Sequence, residues 1–139
     1  MAVTLFHTKP TLRGYHFEDW SFTFVLASGI TASDIGKAVS IDTSAANKVK
    51  LAADGDFVLG RLASVEDRTV EGQLIGAVEL KFANILPIKS GETVAVGDTV
   101  IGAGSGEVKT LKVTGVSAPD YSINFVAEIQ GSNAVVVKV

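Results

Sequence analysis

Two histidines, His7 and His16, are the first residues to test for chemistry. Neither has a carboxylate or a second ligand at metal spacing, whereas a zinc site needs three or four donors brought together. They read as partly exposed side chains near an interface. Asp54-Gly55-Asp56 invites a calcium reading, but a calcium loop needs six or more oxygens in sequence and a bidentate glutamate. The pairs Glu18-Asp19 and Glu66-Asp67 would point to opposite faces on a strand, so neither makes an acid–base dyad there. Gly102, Gly104 and Gly106 have the look of a phosphate loop, yet a valine-rich strand follows them instead of a helix N-terminus, and no Gly-Lys-Ser/Thr occurs. No serine sits in a Gly-x-Ser-x-Gly elbow. The expectation is a protein with no catalytic set, no metal and no cofactor.

The bulk composition narrows the class. A chain of 139 residues is one ordinary domain and can bury enough surface to fold without staples. It has no cysteine, which excludes disulfides, thiolate metal sites and cysteine catalysis. The net charge is −3 with both signs mixed along the chain, so nucleic-acid binding has no electrostatic footprint. The longest uncharged apolar run, Ser21 to Gly29, is far short of a membrane span, and the first residues lack the blocks of a signal peptide. Synthesis in a cytoplasm is expected. Charged residues are only 19% of the chain against 47% hydrophobic. Either β-domains of this kind are simply rich in Val, Ala and Gly, or part of the surface is covered by a partner or by copies of the chain.

The elements that would position any site are strands. No ten residues show a helical period, and short alternating runs recur every 8 to 12 residues between turn signals. The spacing predicts an all-β fold, a small antiparallel sandwich or jelly-roll-like barrel with an extended N-terminal arm over 1–12 and a single β domain over 13–139. Thr31 to Asp34 reads as one helical turn capped by Thr31 and ended by Gly36. Ala38–Ile41 and Lys48–Leu51 read as strands, Asp54-Gly55 as a hairpin turn, and Phe57–Val65 as a strand interrupted by Gly60. Glu66–Arg68 reads as a charged loop and Gly72–Phe82 as a long strand with a bulge or close approach at Gly76. Pro87 reads as an edge or connection, Gly102–Gly106 as a flexible loop tip, and Val108–Val116, Ser122–Ile129 and Val135–Val139 as strands. Val96–Val100 echoes Ile35–Val39, Gly106–Lys109 echoes Asn47–Lys50, and Phe125–Ile129 echoes the Phe57 strand. The body therefore reads as two related β units, about 30–82 and 90–139.

Six of the ten aromatic residues lie before residue 25. Phe22 and Phe24 are expected to plug the core. Phe6, Tyr15 and Trp20, with His7, Lys9 and Arg13, are the candidate partner interface, because aromatic anchors and bidentate arginines dominate interface energetics.

The phrases Ile35-Gly36-Lys37-Ala38-Val39, Ala52-Ala53-Asp54-Gly55-Asp56-Phe57-Val58-Leu59-Gly60 and Gly97-Asp98-Thr99-Val100 resemble the small decoration, or cement, proteins of tailed-bacteriophage capsids over about residues 30–139. The aromatic N-terminal segment departs from the shorter arms of that family. The resemblance implies a non-enzymatic structural protein on the outer surface of an assembled virion shell. Its partners would be the major capsid protein and itself, as homodimer or homotrimer, with neither nucleic acid nor membrane. It would clamp neighbouring capsid subunits. The alternative is an oligosaccharide-binding β module, for which Trp20 and Tyr15 are the candidates.

Overall fold

The computed structural model describes residues 17–111 and 123–139. The arm over 1–12 and the stretch 112–122 lie outside the described residues. Ten strands follow in order: β1 Phe17–Leu26, β2 Ala38–Ile41, β3 Lys48–Leu51, β4 Gly60–Leu62, β5 Glu66–Arg68, β6 Gln73–Pro87, β7 Val100–Gly104, β8 Glu107–Thr110, β9 Phe125–Gln130 and β10 Asn133–Lys138. The fold is all-β, with a closed five-strand barrel and extra strands.

The ring runs β1-β3-β2-β4-β6, and β6 returns to β1. The β1–β3 pair is parallel; β2, β4 and β6 are joined antiparallel. β6 is the strand that unites the molecule. Its first half closes the barrel against β1 and β4, and its second half pairs with β10, which pairs with β9. One face of β6 therefore serves two cores. Val78 packs in the barrel with Leu26, Val39, Val49 and Leu62. Phe82 and Leu86, on the same side of the strand by period two, enter a second core with Val100, Val108, Val126 and Val136. β2 serves both cores with opposite faces: Val39 faces the barrel and Ala38 the second core.

Close packing decides where glycine must stand. A Cβ at Gly60 would lie 2.3 Å from the Glu79 carbonyl, and one at Gly76 would lie 2.2 Å from that of Ser64. Gly76 is thus a close approach of backbones, as its place in a strand suggests.

Several local readings change. Phe57 to Leu59 are not strand; β4 begins at Gly60. Asp54-Gly55 is a turn with Gly55 at φ 87°, but β2 lies between β3 and β4, so it joins no hairpin. Glu66–Arg68 is a strand on the edge of β6, not a loop. Pro87 ends β6 instead of standing apart from it. Gly102–Gly106 is no flexible tip. It forms the end of the β7–β8 hairpin; Gly102 is buried against Ala52 and Ala53, and Ala103 is buried as well.

The same bonding pattern occurs at two turns. In Asp34–Lys37, Gly36 has φ 95° and donates to Leu62 O at 2.7 Å, while Leu62 N–H returns to Lys37 O at 2.9 Å. In Ala95–Asp98, Gly97 has φ 91° and donates to Val126 O at 2.8 Å, while Val126 N–H returns to Asp98 O at 2.8 Å. Glycine is required at the third position of each turn because φ is positive there. By this bonding Val126 occupies the place of Leu62, so Phe125 matches Arg61 and not Phe57.

Candidate interaction surface

Strand direction gathers one set of residues at one end of the barrel. β2 and β6 run toward that end, and β1, β3 and β4 run away from it. The start of β1, the end of β2, the approach to β4 and the middle of β6 therefore meet there.

On the β1 side, Phe22 is directly opposite Val78, and directly opposed residues share a face. Val78 is fully buried, but Phe22 is 52% exposed. The barrel interior runs out between them. Phe24, one step further in, packs against the core as expected; Phe22 does not, because it stands at the mouth. Trp20 sits between two register shifts against β6. Such irregularities re-aim a side chain, and the indole is 53% exposed. It meets Phe22 edge to face at 6.3 Å between ring centroids, and Lys81 Nζ stands 4.4 Å from its centroid. Both arrangements are favoured by the ring quadrupole.

Across the mouth, Ile41 at the end of β2 is 50% exposed and Phe57 is 64% exposed. Leu59 and Leu80 close the interior below them. Between β4 and β10, both of which pair with β6 on the same side, the ladder has a gap. Lys138 fills it by donating Nζ–H to Leu80 O at 2.9 Å. Burial, with the nearby Lys81 charge, lowers its ammonium pKa. A cleft of about 360 Å³ opens here, lined in part by Ile41, Phe57, Leu59 and Lys138. Its floor is held by Asp56, whose Oδ2 accepts from Ser40 Oγ at 2.9 Å and Ala53 N–H at 3.0 Å and faces Lys50 Nζ at 3.4 Å. Burial raises the Asp56 pKa, but the Ala53, Ser40 and Lys50 contacts together outweigh it and hold the carboxyl below its ordinary value.

The mouth is thus an aromatic and aliphatic ring with two lysines on its rim. It can bind an apolar projection and attract negative charge around it.

Of the candidate interface residues, Trp20 lies on this surface. Phe6, His7, Lys9, Arg13 and Tyr15 lie outside the described residues. Ile41, Phe57, Lys81 and Lys138 were not among the candidates. A sequence signal for Phe57 exists: a large apolar residue directly after a tight Asp-Gly turn has no strand partner yet. Lys81 carries no such signal, because only the β1–β6 register brings it to Trp20. A second hollow, apolar and about 510 Å³, lies beside Val96 and Phe125. Among the described residues no three His, Asp or Glu side chains cluster as metal ligands would. Comparison of the chain with protein-family models, with curated proteins and with solved structures finds no match.

Proposed function

We propose that this chain is a structural decoration protein that binds the outer surface of an assembled phage shell and clamps neighbouring major capsid subunits. The observation that carries the reading is the exposed Trp20–Phe22 pair under Lys81, a rigid aromatic anchor of the kind that dominates protein interfaces. The recurrent turn bonding supports a body of two related β units. A protein that binds only the assembled lattice stabilises it by mass action, and many equivalent copies add avidity without strong single contacts.

Co-sedimentation with assembled shells and with free capsid subunits tests the reading. Binding to shells alone is expected, with occupancy falling steeply for Trp20→Ala and unchanged for Lys109→Ala. The Lys109 change removes only an ion pair with the exposed Asp54. Equal binding to free subunits, or none to shells, would overturn it.

A further inference from the structure

At the end of the barrel opposite the aromatic mouth, the β5–β6 hairpin projects as a knob. β5 pairs with the first three residues of β6, and Thr69–Gly72 turns beyond the ring. Gly72 makes the turn at φ 87°. Val70 stands at the tip and is 102% exposed, a fully bare aliphatic side chain. Around it the segment Glu66–Glu71 carries three carboxylates and one guanidinium; Glu66 is paired with Arg68, Asp67 has a partner of its own, and Glu71 is exposed beside Val70. Arg68 bonds Glu66 at 2.8 Å.

The two ends are complementary. The knob is one apolar side chain in acidic surroundings. The mouth is an apolar ring, Trp20, Phe22, Ile41 and Phe57, with Lys81 and Lys138 on its rim. Lys81 lies over an indole and Lys138 bonds a backbone carbonyl, so among the described residues neither ammonium is committed to a carboxylate. The cleft between Ile41 and Phe57 has room for a valine side chain. A chain cannot dock its own knob. From Gly72 to Lys81 the strand is nine residues long, on the order of 30 Å at strand rise.

We infer that the acidic Val70 knob of one copy inserts into the lysine-rimmed mouth of a second copy, making a head-to-tail contact between identical chains. Such a contact is heterologous: a series keeps one free knob at one end and one free mouth at the other, unless successive rotations close a ring. Steering between opposite charges speeds the encounter and weakens with salt. The inference concerns self-association; the knob uses the same Trp20–Phe22–Lys81 mouth as the proposed shell contact, so the two compete, and mass in solution, measured without shells, reads self-association alone.

Sedimentation velocity over a concentration series tests it, with folding checked by thermal melts. Wild type should gain mass with concentration and lose it at high salt. Val70→Asp removes the knob and Phe57→Asp the mouth, so each alone should remain monomeric. Mixed together, they should form a heterodimer of one copy of each and nothing larger, since the intact mouth of one takes the intact knob of the other. If Phe57→Asp does not fold, Lys81→Glu serves as the mouth variant. A monomeric wild type at millimolar concentration overturns the inference. So does self-association of Val70→Asp equal to wild type, or a mixture that stays monomeric.

Discussion

Trp20 and Lys81 face each other across the β1–β6 ladder, and the ammonium stands 4.4 Å from the indole centroid. Sixty residues of chain lie between them. The contact exists because β1 closes the barrel on β6 and a register irregularity on each side of Trp20 turns its ring outward.

A double-mutant cycle on this pair measures the contact directly. Trp20→Ala, Lys81→Ala and the double variant should show a coupling of about 0.5–1 kcal/mol by urea unfolding, the usual size for an exposed cation–π pair. Each single change should cost little more, since Trp20 is half-exposed and Lys81 is partly exposed. A loss from Trp20→Ala as large as a core truncation would show that the indole is a packing element and not a presented one.

Gly60, like Gly76, stands where the barrel leaves no room for a side chain. Its Cβ would overlap the Glu79 carbonyl at 2.3 Å and Val78 Cγ1 at 2.7 Å. Backbone atoms cannot rotate away, so Gly60→Ala should destabilise by at least about 2 kcal/mol, the scale of an overpacked core. Gly29→Ala is the comparison. Nothing lies within 4 Å of that position, and only the positive φ of 93° opposes the change. A smaller loss at Gly60 than at Gly29 in chemical denaturation would contradict the packing argument.

Asn124 acts as a strand partner made of side-chain atoms. Its Oδ1 accepts from Val100 N–H at 2.9 Å and its Nδ2 donates to Val100 O at 3.1 Å, and both residues are buried. Asn124→Ala strands a buried donor and a buried acceptor and should cost about 3 kcal/mol. Asn124→Asp keeps the acceptor but loses the donor and buries a carboxyl, so it should not rescue. Thermal melts of the two variants check this.

Four aspartates set the acid limb. Asp34 is held below the usual carboxylate range by Lys37 and the Thr31 N–H, Asp42 by Ser44 and Lys48, and Asp54 by Lys109. Asp56 is held there by its backbone and side-chain contacts against the effect of burial. Each folded pKa is lower than the unfolded one. Their stabilisation is therefore complete above the unfolded value, about 4, and is lost as pH falls through the folded values. Unfolding free energy should be flat in this contribution above about pH 5 and decline below pH 4. Asp56→Asn should shallow that decline; an unchanged slope would remove Asp56 from the set.

The residue pattern by itself determined that the chain is all-β, since alternation and turn residues are local properties. Ala38–Ile41 and Lys48–Leu51 were legible to the residue, and Thr31 and Gly36 bound the short helical turn as their chemistry requires. The candidate site was legible at Trp20 alone among the described residues. Tertiary structure decided the rest. Phe22 and Phe24 have the same parity and the same side chain, yet Phe24 is packed and Phe22 half-exposed. Local pattern names a face, whereas burial depends on where the opposing strands end. Gly102–Gly106 looks like a loose loop, but Gly102 is buried against Ala52 and Ala53 and Gly106 against Lys37 and Ala38, which leaves only its middle outside the core. The pairing of Trp20 with Lys81, and the placement of Ile41 and Phe57 at the same mouth, follow from barrel closure between strands distant in sequence, and no local rule encodes that register.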